Sequence, residues 1–381
     1  MSRIVTSIAD LREIAKKQIP RVLFEYVDRG SYDEITLHRN RRDLDGIKLK
    51  QRVGMDVSNQ SLKTSVVGQQ IAMPLVIAPT GLTGLFRKDG EILGARAALS
   101  CGVPFCLSTM SICSVEELKE SVNGPFWFQL YLMKDRGLTE ALISRAQAVA
   151  APVLVLTLDL AVIGLRRQEV KEGLAIPPKI TISNILDILS KPAWASSVLL
   201  GGKRTFGNIT DYVRDTKGIG SLAQWISSQC DPSVTWSDVT WVKSRWPGKL
   251  VLKGILDPED ARRACDLGAD AIVVSNHGGR QLDGAPSSIS VLKQIAEAVG
   301  GRCEVLFDGG IQSGQDIFKA LALGARACLI GKAYVYSLAA MGQSGVQLAI
   351  NLIRKELLTT MALAGICDVA QIDDSTLFDY P

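Results

Sequence analysis

The segment from Ser275 to Gln281 carries the residue types best suited to acid–base chemistry in this sequence. It reads Ser-Asn-His-Gly-Gly-Arg-Gln and contains His277, one of the 2 histidines of the chain. Histidine exchanges a proton near neutral pH, and two following glycines let the backbone approach a ligand closely. Arg280 offers a planar fork that matches a carboxylate. A purely structural histidine is the alternative, but the attached Gly-Gly-Arg favours a site that removes a proton from a bound substrate.

Two charged residues follow apolar runs elsewhere in the chain. Asp159 comes directly after Val153–Leu158 and is able to orient the imidazole of His277 and stabilise its cation. Lys253 ends the run Leu-Val-Leu-Lys, where a buried lysine is costly without an anionic partner such as a reduced cofactor. A lysine that extends into solvent is the alternative. We therefore expect Asp159 and Lys253 to belong to the same site as His277.

Short apolar runs alternate with helical patterns along most of the chain. The runs are Leu75–Pro79, Pro104–Ser108, Trp127–Tyr131, Val153–Leu158, Leu250–Lys253, Ala271–Ser275, Glu304–Asp308 and Ala327–Ile330. The helical segments are Glu91–Ser100, Val115–Ser121, Leu138–Ala148, Pro258–Leu267, Ser288–Ala298, Gln315–Leu323 and Val346–Leu363. Strand–helix units with right-handed crossovers predict an α/β fold, a (β/α)8 TIM barrel. A doubly wound open sheet is the alternative, but it normally carries GxGxxG after its first strand, and no such motif is present.

Polar residues stand at the end of each predicted strand, where barrel enzymes place their functional groups. These positions include Thr80, Ser108, Gln129, Tyr131, Thr157, Asp159, Lys253, Ser275, Asp308 and Lys332. Gly309, Gly310 and Gly331 open the loops after strands seven and eight, the usual phosphate cradle of this fold. Together these residues predict a large polar ligand at the carboxyl ends of the strands.

Two segments fall outside the strand–helix rhythm. We predict a single domain over residues 1–381, in which residues 1–70 cap a barrel formed by residues 71–365. The insertion after strand four, residues 167–246, is long enough to be a lid or a binding element. Its region 176–215 mixes Trp, Leu and Phe with lysine and arginine, which is typical of contact with an anionic membrane surface. The residues alone favour packing on its own barrel or on a neighbouring subunit over this membrane contact.

Composition and charge exclude several classes of protein. The net charge of +4 is mild and its signs are interspersed, so no nucleic-acid partner is expected. The 8 cysteines form no CxxC pair, which predicts reduced thiols and no metal site. The apolar run from Ala148 to Leu165 contains Pro152 and Asp159, so we predict a buried strand rather than a membrane span. The amino terminus has no secretory h-region, so we expect a cytoplasmic protein, either free or peripheral on the cytoplasmic side of the inner membrane.

The run Ser275–Asp283 resembles the signature of the FMN-dependent L-2-hydroxy-acid dehydrogenases and oxidases, which include glycolate oxidase and mandelate dehydrogenase. The resemblance extends to Leu23–Tyr26, Met73–Pro79, Trp127–Tyr131 and Lys319–Ala325. Lys253–Ala261 and the insertion containing Asn208–Tyr212 are most similar to the bacterial respiratory L-lactate dehydrogenases. The resemblance implies FMN as cofactor, a 2-hydroxy acid as substrate, a quinone or other electron acceptor, and a homotetramer. It favours L-lactate, with (S)-mandelate and glycolate as alternatives.

The resemblance also implies a role for each matching residue. His277 removes the proton from substrate C2 with the help of Asp159, and Tyr131 lies near the substrate hydroxyl. Arg280 and Tyr26 hold the substrate carboxylate, with Arg166 close by. Lys253 stands beside the flavin and favours its reduced, anionic form. The remaining cofactor contacts are Ala78, Pro79, Thr80, Ser108, Gln129, Thr157 and Ser275 along the ring and ribityl chain, and Asp308, Gly309, Gly310, Gln312, Gly331 and Lys332 toward the phosphate.

Two positions depart from the family pattern, which has arginine where this chain has Gln312 and Lys332. Lysine keeps the charge but loses the fork, and the loss of one charged hydrogen bond costs roughly 1.5–3 kcal/mol. Weakened retention of FMN is therefore expected.

Gly81 is common among family dehydrogenases and favours an acceptor other than O2. Three alternatives stay open: an oxidase that uses O2, a barrel isomerase or lyase acting on a phosphorylated substrate, and a non-catalytic family member.

Overall fold

The computed structural model describes residues 4–171, 181–203, 205–212 and 228–378. A small antiparallel hairpin, β1 (Thr64–Val66) and β2 (Gln69–Ile71), precedes a parallel sheet. The strands of that sheet are β3 (Leu75–Ile77), β4 (Cys106–Ser108), β5 (Trp127–Leu130), β6 (Val153–Thr157), β7 (Lys249–Ile255), β8 (Ala271–Val274), β9 (Glu304–Phe307) and β10 (Ala327–Ile330). Their order is β3-β10-β9-β8-β7-β6-β5-β4, and a bridge between Ile77 and Phe105 closes the ring. The predicted (β/α)8 barrel is confirmed.

Helices follow the strands and cover the outside of the barrel. In the described residues the α-helices are Ile8–Gln18, Arg21–Asp28, Ile35–Gly46, Thr83–Phe86, Gly90–Ser100, Val115–Ser121, Arg136–Ala148, Arg167–Lys171, Ile182–Leu189, Pro192–Trp194, Trp236–Arg245, Pro258–Asp266, Ser288–Val299, Gly314–Ala322 and Lys332–Leu363. The Asp257 side chain accepts from the backbone N–H groups of Glu259 and Asp260, which fixes the start of one of them. The predicted helix Val346–Leu363 lies in the second part of the span Lys332–Leu363, which a non-helical backbone at Gly342 divides into two helices.

The amino-terminal segment contributes to both ends of the barrel. Val66 and Ile71 of the hairpin join the buried cluster that fills the barrel interior, and the Trp127 indole N–H donates to Gln69 Oε1 at 2.8 Å. The helices Arg21–Asp28 and Ile35–Gly46 lie instead at the carboxyl ends of the strands. The single-domain division of the chain stays a prediction.

The described part of the insertion packs largely on the barrel. The Trp194 indole N–H donates to the Leu85 carbonyl at 2.8 Å, and Val198 and Phe206 are buried. Asn208 is also buried and accepts from the backbone N–H of Val115. Residues 176–180, 204 and 213–215 of the predicted membrane-facing region lie outside the described residues.

The apolar run from Ala148 to Leu165 forms the buried strand β6 and its flanks, as predicted. Among the helices that the structure describes, none is long and apolar enough to cross a membrane.

Candidate active site

The carboxyl ends of the barrel strands open into a cavity of about 620 Å³, within the range of roughly 300–1,000 Å³ that is usual for small-molecule sites. The sequence-predicted residues that line it are Tyr26, Ala78, Pro79, Thr80, Ser108, Tyr131, Thr157, Arg166, Lys253, His277, Arg280, Asp308, Gly309, Gly310, Gln312, Gly331 and Lys332. Gln129, Asp159 and Ser275 stand directly behind this wall, where each makes a hydrogen bond to a lining side chain. The fold therefore brings every predicted site residue to one place.

His277 and Asp159 form a close pair beside the cavity. Nδ1 of His277 lies 2.9 Å from Oδ1 of Asp159. Burial by itself would raise the pKa of Asp159, but the facing His277 and the more distant Lys253 lower it below its usual value. Because the ionised carboxylate binds Nδ1, the imidazole is held with Nε2 as the nitrogen available to accept a proton.

The loop after β8 aims His277 at the cavity through an unusual backbone conformation. His277 has a φ of 58°, in the left-handed region that only a few per cent of non-glycine residues adopt. Its backbone N–H donates to Ser275 Oγ at 3.1 Å, and Gly278 and Gly279 continue the turn with positive φ values. Strain of this kind persists where surrounding contacts impose it and is concentrated at functional sites.

A bulge in β7 makes room for Asp159. The pairing register between β7 and β8 shifts from Lys253 to Ile255, and Gly254 between them has a φ of 103°. A Cβ atom at Gly254 would lie 2.6 Å from Cβ of Asp159, so no larger residue fits without displacing the carboxylate. Bulges commonly re-aim side chains next to active sites. The sequence reasoning missed the role of Gly254, for which the only local signal is a glycine inside an apolar strand.

Lys253 is buried and paired within the protein. Its Nζ lies 2.8 Å from Oδ2 of Asp308 and donates to Ser275 Oγ at 2.7 Å. Burial lowers the pKa of Lys253, but the carboxylates of Asp308 and Asp159 outweigh this and raise it above its usual value. The alternative of a lysine extending into solvent is therefore wrong, and the side chain presents a fixed positive charge to the cavity.

Arg280 and Arg166 form a second positively charged group on the cavity wall. The Arg280 guanidinium stacks 4.7 Å from the ring centre of Tyr26 and donates to the backbone carbonyls of Tyr26 and Arg29. Its Nη2 lies 3.0 Å from Oε1 of Glu169, and Arg166 Nη1 lies 3.4 Å from the same oxygen. Burial and the neighbouring Arg166 lower the pKa of Arg280. Two arginines held by one carboxylate keep a net positive charge that suits a substrate anion.

Glu169 is a functional candidate that the sequence reasoning missed. It lies on the short helix Arg167–Lys171, inside the insertion, and no motif surrounds it. Its spacing of three residues from Arg166, which allows a contact on one helical turn, was the only available signal.

Four buried polar atoms have no hydrogen-bond partner within the described residues and belong to side chains around the cavity. They are Nε2 of Gln129, Oγ1 of Thr157, Oδ2 of Asp159 and Oδ1 of Asp308. A buried polar group without a partner costs roughly 1–3 kcal/mol, so these atoms indicate a ligand that supplies both acceptors and donors. The ring carbonyls and nitrogens of a flavin and the hydroxyls of its ribityl chain provide that combination.

Residues 15–379 match the family model described as FMN-dependent dehydrogenase. The chain belongs to this family. The L-lactate dehydrogenase of Caulobacter vibrioides is 47% identical over 375 residues, which cover 98% of each chain. The L-lactate dehydrogenase of Xanthomonas campestris is 44% identical and covers 98% of this chain and 97% of its own.

Solved structures show the same architecture. The monotopic membrane protein (S)-mandelate dehydrogenase superposes with a TM-score of 0.95 at 36% identity, covering 99% of this chain and all of that one. A mandelate oxidase superposes with a TM-score of 0.82 at 36% identity, covering 96% of each chain. FMN is therefore the cofactor of this FMN-dependent dehydrogenase, and the donor set of the cavity fits it.

At the end of the cavity predicted to take the phosphate, Lys332 stands at the first position of the helix Lys332–Leu363. Nζ of Lys332 donates to the backbone carbonyls of Asp28 at 2.7 Å and Arg29 at 3.3 Å. Within the described residues no carboxylate oxygen lies within ion-pair distance of it. Burial and the nearby Arg280 lower the pKa of Lys332 to about 7. The lysine is thus placed to gain an anionic partner when a phosphate binds.

Gln312 also lines this end, but its neighbourhood is organised by a different arginine. The backbone N–H of Gln312 donates to Asp316 at 2.9 Å, and Asp316 binds Arg41 through both carboxylate oxygens. Arg41 also donates to the Gly310 carbonyl at 2.9 Å. Arg41 shapes the glycine loop after β9, and the sequence reasoning missed it because it lies in the distant amino-terminal segment.

Proposed function

We propose that this dehydrogenase oxidises L-lactate to pyruvate and passes the electrons to a quinone-type acceptor. The observation that carries the proposal is the His277–Asp159 pair, which faces the same cavity as the Arg280 group. Bound FMN supplies an acceptor for the two electrons that leave the substrate. The sequence similarity to proteins named L-lactate dehydrogenase, at 44–47% identity, favours lactate among the 2-hydroxy acids.

Each residue around the cavity has a separate role in the proposed reaction. Arg280 and Arg166 bind the substrate carboxylate, with the Tyr26 ring beneath the Arg280 guanidinium. Tyr131 lies on the same wall beside the substrate hydroxyl, and burial raises the pKa of its phenol so that it stays protonated. Nε2 of His277 removes the proton from substrate C2, and Asp159 stabilises the resulting imidazolium. Lys253 holds a fixed positive charge on the cavity wall and would stabilise negative charge on bound FMN.

The cofactor contacts follow the cavity from the ring to the phosphate. Gln129, Thr157 and Ser108 would contact the flavin ring, and the unpartnered oxygen of Asp308 would accept from a ribityl hydroxyl. The backbone N–H groups of the loops after β9 and β10, together with Lys332, stand at the phosphate end.

Anaerobic flavin absorbance tests the reaction and its substrate. The FMN-loaded protein is mixed with L-lactate, D-lactate, glycolate and (S)-mandelate in separate experiments, and bleaching near the flavin maximum is followed in a stopped-flow instrument. We expect L-lactate to bleach fastest and D-lactate to leave the spectrum unchanged. Faster reduction by (S)-mandelate would transfer the assignment to a mandelate dehydrogenase, which is the activity named for structural neighbours of this chain. No bleaching with any acid would favour a non-catalytic protein.

Reoxidation of the reduced protein identifies the acceptor. A Cβ atom at Gly81 would lie 3.0 Å from Met110 Cβ and 3.1 Å from its carbonyl oxygen, so the glycine keeps the wall open at this point. We expect a soluble quinone analogue to reoxidise the protein much faster than air-saturated buffer. The reverse order would indicate an oxidase.

We also propose that the helix Ile182–Leu189 contacts a membrane surface. Ile182, Leu186 and Leu189 are 62–77% exposed on this helix, and Lys191 lies next to it with Nζ on the Lys17 carbonyl. An apolar face with lysines beside it is typical of binding to anionic lipid. One structural neighbour is described as a monotopic membrane protein, and another as a soluble mutant of a membrane-associated (S)-mandelate dehydrogenase.

Sedimentation with vesicles that contain anionic phospholipid tests this contact. We expect Leu186→Glu to release the protein from the vesicles, whereas Leu363→Glu, at another exposed leucine, leaves it bound. Equal binding of both variants would contradict the proposal. The cytoplasmic side of the membrane and the homotetramer stay predictions, and light scattering of the purified protein tests the latter.

A further inference from the structure

Two cysteines face each other away from the cavity. Sγ of Cys265 lies 2.7 Å from Sγ of Cys303, and both residues are partly exposed. Cys265 lies on the helix Pro258–Asp266, and Cys303 directly precedes β9 at the amino-terminal end of that strand. Because the cavity lies at the opposite ends of the strands, the proposed mechanism has no use for these thiols.

An ion pair next to the cysteines holds their two segments together. Nη1 of Arg302 lies 2.6 Å from Oδ1 of Asp266, so the residues adjacent to each cysteine are also in contact. A disulfide has an S–S length of about 2.05 Å, which the two thiols reach with a displacement of less than about 1 Å. Partial exposure leaves a path for a small oxidant to one sulfur.

We propose that Cys265 and Cys303 form a reversible disulfide when the protein meets a small oxidising disulfide such as oxidised glutathione. The thiolate of Cys265 attacks one sulfur of glutathione disulfide and releases one glutathione thiolate. The sulfur of Cys303 then loses its proton to solvent and attacks the Cys265 sulfur, which releases the second glutathione. Two protein thiols are oxidised, and one glutathione disulfide is reduced to two glutathione thiols.

The order of the two attacks follows from the surroundings of Cys303. Burial and the neighbouring Cys265 thiol raise the pKa of Cys303 well above its usual value. A thiol with a raised pKa is rarely ionised at neutral pH and is a slow attacker of free disulfides. Its proximity to Cys265 compensates, because the second step is intramolecular.

The cross-link would enclose the part of the chain that carries the catalytic base. The segment between the two cysteines contains β8, the His277 loop and the helix Ser288–Val299. Closing this loop reduces the freedom of the unfolded chain. We expect the oxidised protein to unfold at a temperature a few degrees higher, with turnover retained because the pair lies remote from the cavity.

Thiol titration of the FMN-loaded protein in denaturant provides the test. The chain has 8 cysteines, and we expect incubation with oxidised glutathione to reduce the titratable number by two without adding glutathione mass. Dithiothreitol should restore the full number and reverse the rise in unfolding temperature. Cys265→Ser and Cys303→Ser should each lose the intramolecular cross-link. Cys367→Ser is the matched control, since it removes another partly exposed thiol. Incubation of this variant with oxidised glutathione should still reduce its number of titratable thiols by two.

Peptide mapping of the oxidised wild-type protein identifies the linked residues and does not depend on whether the serine variants fold. A linked pair of peptides containing Cys265 and Cys303 supports the proposal. An unchanged thiol count, a persistent glutathione adduct on one cysteine, a different pair, or a bond between two copies of the chain would overturn it.

Discussion

The two ends of the cavity differ in how their charges are balanced. At the reacting end, His277 lies against Asp159, Lys253 against Asp308 and Arg280 against Glu169, each pair within hydrogen-bond distance. At the phosphate end, Lys332 donates only to backbone carbonyls, and Gln312 carries no charge. The reacting end is therefore organised before a ligand arrives. At the phosphate end Arg41 is already paired with Asp316, whereas Lys332 would gain its anionic partner from the ligand.

This difference separates catalysis from cofactor retention. Paired groups at the reacting end are preorganised, which is the condition under which fixed charges lower a reaction barrier. Ligand binding by a lysine without a carboxylate partner depends on whether the lysine is protonated, because the bound anion takes the place of the missing carboxylate. Variants at the reacting end should change turnover with FMN still bound, and variants at the phosphate end should change the FMN dissociation constant.

His277→Gln should have the largest effect, because it removes the proton acceptor and keeps a polar side chain of similar size. We expect turnover to fall by about 10³ to 10⁴-fold, toward the upper end of general-base contributions, while the flavin spectrum stays that of a bound cofactor. Steady-state kinetics with L-lactate measure the loss. His38→Gln is the control, since this histidine also lines the cavity but has a side chain that is 75% exposed and has no role in the proposed mechanism. Normal turnover in His277→Gln would remove the residue from the mechanism.

Asp159→Asn should have the next largest effect. The amide cannot stabilise the imidazolium, so we expect turnover to fall by about 10² to 10³-fold, within the usual range for acid–base groups. FMN affinity, measured by quenching of flavin fluorescence, should stay within about twofold of the wild type if the two ends of the cavity are independent. A large loss of FMN would instead show that the two ends are coupled.

Lys332 should make FMN binding depend on pH. With the pKa of the free lysine lowered to about 7, the ammonium form is present below pH 7 and is lost as the pH rises. A bound phosphate favours the ammonium form, so its pKa in the complex is higher and binding above pH 7 takes up a proton. We expect the FMN dissociation constant to rise by up to tenfold per pH unit above about pH 7.

Two controls isolate this lysine from other titrating groups near it. Asp28 and Glu34 raise the pKa of Lys332, whereas Arg280 and Arg12 lower it, and the phosphate itself has a pKa near 6. Lys332→Arg keeps the charge at all these pH values and should make the FMN dissociation constant flat between pH 7 and 9. Riboflavin has no phosphate and should bind the wild type with no such slope. A slope that survives in Lys332→Arg would assign the titration to another group.

Gln312→Arg should have the smallest effect and the opposite sign. A new guanidinium beside the phosphate adds about one charged hydrogen bond, worth roughly 1.5 kcal/mol or tenfold in affinity. Slower release of FMN during dialysis measures the gain. Gln312→Glu at the same position should weaken FMN binding, and a gain from both substitutions would point to a steric cause.

Local patterns predicted the barrel well because its strands are buried on both faces. Val153–Thr157 and Ala271–Val274 read as continuous apolar runs for that reason, and Gly300 ends a helix with a positive φ. Gly342 has a φ of 63° and a ψ of −141°, which are not helical, so it separates the span Lys332–Leu363 into two helical parts. The predicted helix Val346–Leu363 lies in the second part, and the first part, which begins at Lys332, was not predicted.

The sequence by itself determined the strand–helix alternation, the His-Gly-Gly-Arg turn and the strand-end positions that became the cavity wall. These features depend on residues close together in the chain, so periodicity and turn chemistry express them. The tertiary structure decided the partners: Asp308 for Lys253, Glu169 for Arg280, and the Gly254 bulge that admits Asp159. Such contacts join residues on different strands and loops, and they arise only when the closed barrel brings the carboxyl ends of its strands around one cavity.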